Sequence, residues 1–307
     1  MRKYIQNKVA ESRLALPTTI VYAVIVWLLG GLIQSGWWLQ FGCFALAAFL
    51  MVELNNINVL VRIYSRMVSC SFLVMSCMLC FLFPSTSGAI MTVMVIGSLM
   101  SLFASYQDQQ AVKASYYSFL LMGLASMTFV HILFYLPLIW LVMAFLLQSF
   151  SWRTWSASIL GLLTPYWFCL CWLAWQQDFT FLFSHFMVLG DFARPLDFSL
   201  LTIHQIVSLV VVVLFAVIGT IHFIRQHHDD KIRIRLLYHF FIWMDLATVL
   251  FLILQPQHYD YLMRILMINT APLTGHFLAL THTRWTNMAF FAIVAIILFV
   301  TGFNLWM

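Results

Sequence analysis

Apolar residues in this chain come in long unbroken runs, not in alternation. Eleven such segments can be read: Leu16–Ile33, Trp37–Leu54, Met67–Phe83, Ala89–Tyr106, Tyr116–Val130, Leu133–Phe150, Ala157–Trp175, Leu200–Ile224, Leu236–Leu254, Tyr261–Leu280 and Trp285–Phe303. A transmembrane helix needs about 20 predominantly apolar residues. Barrel strands would be about half that length and would alternate apolar with polar positions. The pattern therefore predicts an all-α, polytopic transmembrane bundle of about eleven spans. It leaves no room for a soluble domain, so residues 1–307 form a single membrane domain.

The stretch Phe119–Leu147 is apolar apart from His131 and a few small polar residues. As one helix it would be about 43 Å long, against a hydrocarbon core of about 30 Å. It is either one strongly tilted helix or a hairpin of two short ones over residues 116–150, and the basic residues decide. With a hairpin, thirteen Lys and Arg fall on one side, leaving only Arg194 and Arg264 on the other. With a single span the split is nine to six. Lys and Arg accumulate on the cytoplasmic side of membrane proteins, which selects the hairpin, a cytoplasmic N-terminus and an external C-terminus. Met1–Arg13 is basic and polar, with no small-residue cleavage site after it, so the first helix reads as an uncleaved anchor.

Composition sharpens this picture. Charged residues make up 8% of the chain and apolar residues 64%, where a soluble domain carries roughly 25% charged. The net charge of +5 belongs to the cytoplasmic bias of basic residues and not to nucleic-acid binding. All six cysteines lie in apolar segments; Cys77 and Cys80, with Cys70 on the same face, read as small-residue packing, not as a metal or redox pair. No P-loop, dinucleotide fingerprint, HExxH or GxSxG occurs, and no cofactor is expected.

Asp245 carries the sharpest chemistry. It lies at the centre of Leu236–Leu254, where an acid costs about 2.5–3.5 kcal/mol on insertion scales. Such residues are functional candidates by default. Tyr238, Asp245 and Thr248 share one helical face, and the next helix carries Asn269, Thr270 and His276. Pro272 and Gly275 in that helix can free backbone carbonyls for a partner. Two readings stand: a polar cavity shared by the last helices, or a neutral Asp245 hydrogen-bonded to Asn269 or Thr270 as helix glue.

A second set lies in the predicted external loops. One loop carries Asp178, His185, Asp191, Arg194 and Asp197; another carries His258, Asp260 and Arg264. A site for a lipid-linked phosphate needs Arg to pair with phosphate oxygens and a carboxylate or His as base. Arg194 and Arg264, with His185 and His258, are the candidate ligands, and Asp191, Asp197 and Asp260 the candidate bases. The alternative is solvated loops, with Arg264 snorkelling to the headgroups. His227, His228, Asp229 and Asp230 read as a solvated loop, His131 as interfacial, and Glu53 as the partner of Arg62 or Arg66.

The segment SWRTWSASILGLLTPY (Ser151–Tyr166), directly after the apolar hairpin, together with ELNNIN at Glu53–Asn58, resembles a family of polytopic inner-membrane proteins of Bacteroidota. The resemblance implies a multi-pass protein of the bacterial inner membrane and carries over no catalytic residues. A looser resemblance, in the many spans, short helix pair and aromatic external loop, is to multi-spanning glycosyltransferases and polymerases that use polyprenyl-linked sugars. Transferases of that type carry an acid in the first external loop; here that loop is only Gln34–Gly36. Three functions follow as expectations: action on a polyprenyl-linked saccharide at the outer face, proton- or cation-coupled transport through Asp245, and a non-catalytic subunit or assembly factor of an envelope complex. Membrane lipid is the expected partner, and nucleic acid is not.

Overall fold

The computed structural model describes residues 4–192 and 194–306, which form helices and connecting turns without a strand. In chain order the helices are α1 (Ile5–Ala10), α2 (Ala15–Leu29), α3 (Leu32–Ser35), α4 (Trp38–Asn58), α5 (Met67–Met78), α6 (Thr86–Phe103) and α7 (Val112–Thr128). They continue with α8 (Leu136–Phe145), α9 (Trp152–Gln176), α10 (Thr180–Met187), α11 (Ile203–Gln226), α12 (Ile232–Leu254), α13 (Tyr259–Leu280) and α14 (Arg284–Trp306). Each of the eleven apolar segments overlaps one of these helices. Among the described residues, six helices are long and apolar enough to cross a membrane: α4, α6, α9, α11, α12 and α14. Their outward faces stay apolar, as with Trp167, Phe168 and Trp172 on α9 and Leu298 and Phe299 on α14. Exposed apolar surface on this scale needs lipid, not water. The protein is a multi-pass helical membrane protein.

Helix α13 is the hub. Every residue from Leu262 to Leu280 is buried, and α5, α6, α11 and α12 surround it. Small residues let these backbones meet. A Cβ on Gly275 would lie 2.7 Å from the Val68 backbone of α5, and one on Gly219 of α11 would lie 2.7 Å from the backbone of Leu273. Helices α7 and α9 meet in the same way. A Cβ on Gly161 would overlap the Tyr116 carbonyl oxygen, and one on Gly123 would stand 2.7 Å from that of Leu162.

The stretch after α7 breaks at Phe129 and runs through a 3-10 turn, Val130–Tyr135, into α8. Beyond α8 the chain returns to where α7 began: Gln107 N donates to Leu147 O (2.8 Å), and Ser151 Oγ donates to Gln109 O (2.7 Å).

Long-range polar contacts define two ends of the bundle. At one end Gln6 binds Leu278 O and Thr281 Oγ1, Arg233 binds Asn58 and Phe103 O, and Arg62 pairs with Asp229 at 3.0 Å. Lys8, Arg13, Arg66, Lys113, Arg153, Arg225, Lys231, Arg235 and Arg284 lie in or beside the same turns, so this is the basic end. At the far end Gln40 reaches Pro84 O and Thr86, Ser87 meets Tyr261 and Leu196 N donates to Ile253 O. Arg194 and Arg264 belong there.

Candidate functional site

The far-end residues fall into distinct environments. The turn between α7 and α8 brings His131 against His258, which precedes α13, with ring centroids 3.9 Å apart. Phe129 packs on both rings. α7 ends at Thr128, and the turn after it folds His131 inward, where it is buried. Gln257 Nε2 donates to Asp191 O (2.9 Å), pinning the long loop over this pair. Burial and the neighbouring His131 hold His258 well below the usual imidazole range, at about 4. Burial also lowers His131, against the opposing pull of a backbone hydrogen bond at Val188 and the Asp191 charge.

The carboxylates of this loop are not equivalent. Asp197 Oδ1 accepts from Ser199 N and Ser199 Oγ, capping the short turn Phe198–Leu200. Those bonds hold its carboxyl below the usual range, as the same arrangement with Thr180 does for Asp178. A carboxylate held low by hydrogen bonds is a weak base. Asp191 is exposed beside the two histidines. His185, on α10, lies 3.4 Å from Tyr166 OH, which meets Ser126 Oγ at 2.6 Å. His185 thus docks α10 onto α7 and α9.

The two far-end arginines also separate. Arg194 is exposed on the loop, where its charge acts on Asp197. Arg264 is only 8% exposed; its Nη2 donates to Leu82 O and its Nε has no partner. The guanidinium lies on Gly88 of α6, where a Cβ would come within 2.5 Å of Nε. It borders a cavity of about 30 Å³ shared with Trp27, Gln40 and Thr92, room for about one water. Asp260, one turn earlier on α13, is exposed.

A groove of about 400 Å³ opens beside this cluster. Phe134, Tyr135 and Leu138 form one wall, Phe192 and Pro195 another, and Ala247, Leu250 and Phe251 of α12 the floor. Arg194 lies between the two loop residues in sequence.

Deeper in the bundle, Asp245 is buried on α12. Thr270 Oγ1 donates to its Oδ2 (3.1 Å), while Oδ1 has no partner. Asn269 does not bond the acid: its Nδ2 turns back to Ile265 O and its Oδ1 is unpartnered. One helical turn from Asp245, Thr248 accepts from Tyr135 OH (3.0 Å). Towards the basic end Tyr238 OH donates to the carbonyl of Pro272 (3.3 Å), which lies inside the continuous helix α13.

His276 has a partner that the hydropathy of its surroundings conceals. Its Nε2 lies 3.0 Å from Asp230 Oδ2, with both side chains buried. His222 of α11 and Tyr238 pack on the same imidazole, with centroids at 5.3 and 4.8 Å. The run His227–Asp230 is therefore not uniformly solvated: Asp229 faces out to Arg62, and Asp230 turns into the bundle. That alternation takes Arg62 away from Glu53, whose Oε1 instead receives Asn56 Nδ2 at 3.5 Å, while Arg66 binds Asn56 Oδ1. A polar loop conceals an inward acid unless the buried His opposite it is read as needing a partner. Among the described residues no group of three or more His, Cys, Asp or Glu is arranged to hold a metal ion. No family model matches the chain, and neither a curated protein nor a solved structure matches it.

Proposed function

We propose that the chain is a bacterial inner-membrane protein with its basic end in the cytoplasm, and that it binds a polyprenyl-linked saccharide at its outer face. The observation that carries this reading is the far-end groove, whose walls are aromatic and aliphatic and whose loop wall brackets Arg194. An isoprenoid tail fits such a surface, and the guanidinium of Arg194, which lies between two of its lining residues in sequence, suits a phosphate. In this reading Arg194 holds the phosphate and Asp191 is the base, because Asp197 is spent as a cap. Arg264, buried against Leu82 and Gly88, anchors α13 to α6 and leaves phosphate binding to Arg194. The segregation of basic residues to one end supports the orientation.

The test is lipid binding to the purified full chain in nanodiscs, followed by native mass spectrometry. Polyprenyl phosphate is expected to be retained at least tenfold better than phosphatidylcholine, and Arg194→Ala is expected to remove most of that preference while the thermal midpoint holds. Equal retention of the two lipids by the unmodified protein overturns the reading.

A further inference from the structure

Arg264 carries a charge that its surroundings do not neutralise. A guanidinium stays protonated inside a protein, and a buried charge without a counterion is costly. Arg264 is buried on α13, yet among the described residues no carboxylate pairs with it; the ion pairs there are Arg62–Asp229 and His276–Asp230. Asp260, one turn earlier, is exposed and forms no ion pair with it. An arginine has five N–H groups to place. Leu82 O accepts one of them, and Nε is buried without a partner.

The small cavity that the guanidinium borders holds a second stranded donor. Trp27 of α2 is 2% exposed, and its Nε1 has no partner. An indole N–H can only donate. Its direction is fixed, because the ring stacks on Phe83 with centroids 3.7 Å apart and touches Phe44 and Phe41 at 5.4 and 5.5 Å. The rest of the polar lining is committed or adds further donors. Gln40 Nε2 donates to Pro84 O and Thr86 Oγ1, and Thr92 Oγ1 donates to Gly88 O. Cys43 and Ser76 bring a thiol and a hydroxyl, and no acidic side chain lines the space. Unpartnered buried atoms occur elsewhere in the bundle. Here a full positive charge, a second donor and a cavity coincide, and that combination specifies the sign of what it can hold.

We propose that this cavity is a binding site for a small monovalent anion of the chloride class, held between the Arg264 guanidinium and the Trp27 N–H. Size selects the class: the volume of about 30 Å³ takes an object of roughly water size, which excludes a phosphate group. Charge selects the ion over water. A water could accept from both donors, but only an anion also compensates the arginine. Such an ion would tie α2 to α13, the buried hub, at the far end of the bundle. The site stands independently of the lipid reading, since no residue lines both this cavity and the groove.

The test is the thermal midpoint of the full chain in detergent across a sodium chloride series, with sodium gluconate holding the ionic strength constant. Chloride is expected to raise the midpoint along a saturating curve. Trp27→Phe keeps the ring stack and removes the N–H; it is expected to move the half-saturating chloride concentration up about tenfold, the loss of one hydrogen bond to an ion, with its midpoint in gluconate alone held. Bromide anomalous scattering from crystals of the unmodified protein locates the ion without any variant, and a peak between Trp27 and Arg264 is expected. Superimposable chloride and gluconate series, a chloride response unchanged in Trp27→Phe, or bromide peaks confined to the surface overturns the site.

Discussion

The α7–α9 seam and the α12–α13 seam are both buried helix contacts in one membrane bundle, and they are built in opposite ways. The first brings backbones together at Gly123 and Gly161 and lines the contact with hydroxyls that bond nearby, as Ser126 does to Gly123 O and Tyr166. The second places Tyr238, Asp245, Thr270 and His276 in the contact, and Asp245 and His276 each carry an unpartnered atom. Lipid supplies no hydrophobic drive for helix association, so small-residue packing is sufficient glue. The α7–α9 seam shows that this protein can bind helices without a buried carboxyl or imidazole. Those in α12–α13 therefore call for a different explanation.

The contrast is broken most severely at Gly161. Gly161→Ala places a methyl on the Tyr116 carbonyl and is expected to cost about 3 kcal/mol, read as a large drop in thermal midpoint in detergent. Gly42→Ala, with nothing within 4 Å of the added carbon, is expected to leave the midpoint unchanged or raised. Equal effects at the two positions would show that the close approach is not what holds the seam.

Next in size is the neighbouring acid pair. Asp230→Ala strands His276 in the interior, and leaving a buried polar partner unsatisfied costs about 1–3 kcal/mol. Asp229→Ala removes only a largely exposed ion pair with Arg62, a change of about 0.5 kcal/mol or less. Thermal midpoints of the two variants, measured side by side, separate an inward from an outward acid one residue apart.

The smallest effect is expected from pH at the far end. His131 and His258 are held below the ordinary imidazole value of 6.5, His258 at about 4. Between those values the unfolded chain binds more protons than the folded one, so stability is full above about pH 6.5 and falls as pH drops toward 4. A thermal midpoint series across that window should show the decline, and His258→Gln should flatten it. A flat series for the unmodified protein would place these rings in contact with bulk water.

Much of the fold was legible because lipid imposes a simple rule: every apolar run of sufficient length becomes a helix. Each of the eleven segments overlaps a helix for that reason, and six of those helices, among the described residues, are long and apolar enough to cross a membrane. Asp245 was legible too, since an acid amid Trp243, Leu246 and Leu250 stands out against its background. Asp230 was not. It lies in HHDDK, where the local sequence is polar throughout, and its inward turn depends on His276, 46 residues away. Arg264 was hidden for a related reason: its position near a helix start suggested exposure, whereas Gly88 of α6 leaves a bed for its guanidinium. Pairings that cross between helices are set by packing, and hydropathy along the chain does not encode them.

The burial of α13 bears on how the molecule is made. The insertion machinery releases helices to lipid one or a few at a time according to their apolarity. A segment with Arg264, Asn269, Thr270, Thr274 and His276 is poorly suited to leave on its own. Its neighbours α5, α6, α11 and α12 are all synthesised before it, so a lining already exists when it emerges. Chain order thus doubles as an assembly order, with the least lipid-soluble helix among the last to emerge and delivered into a cradle that its predecessors have prepared.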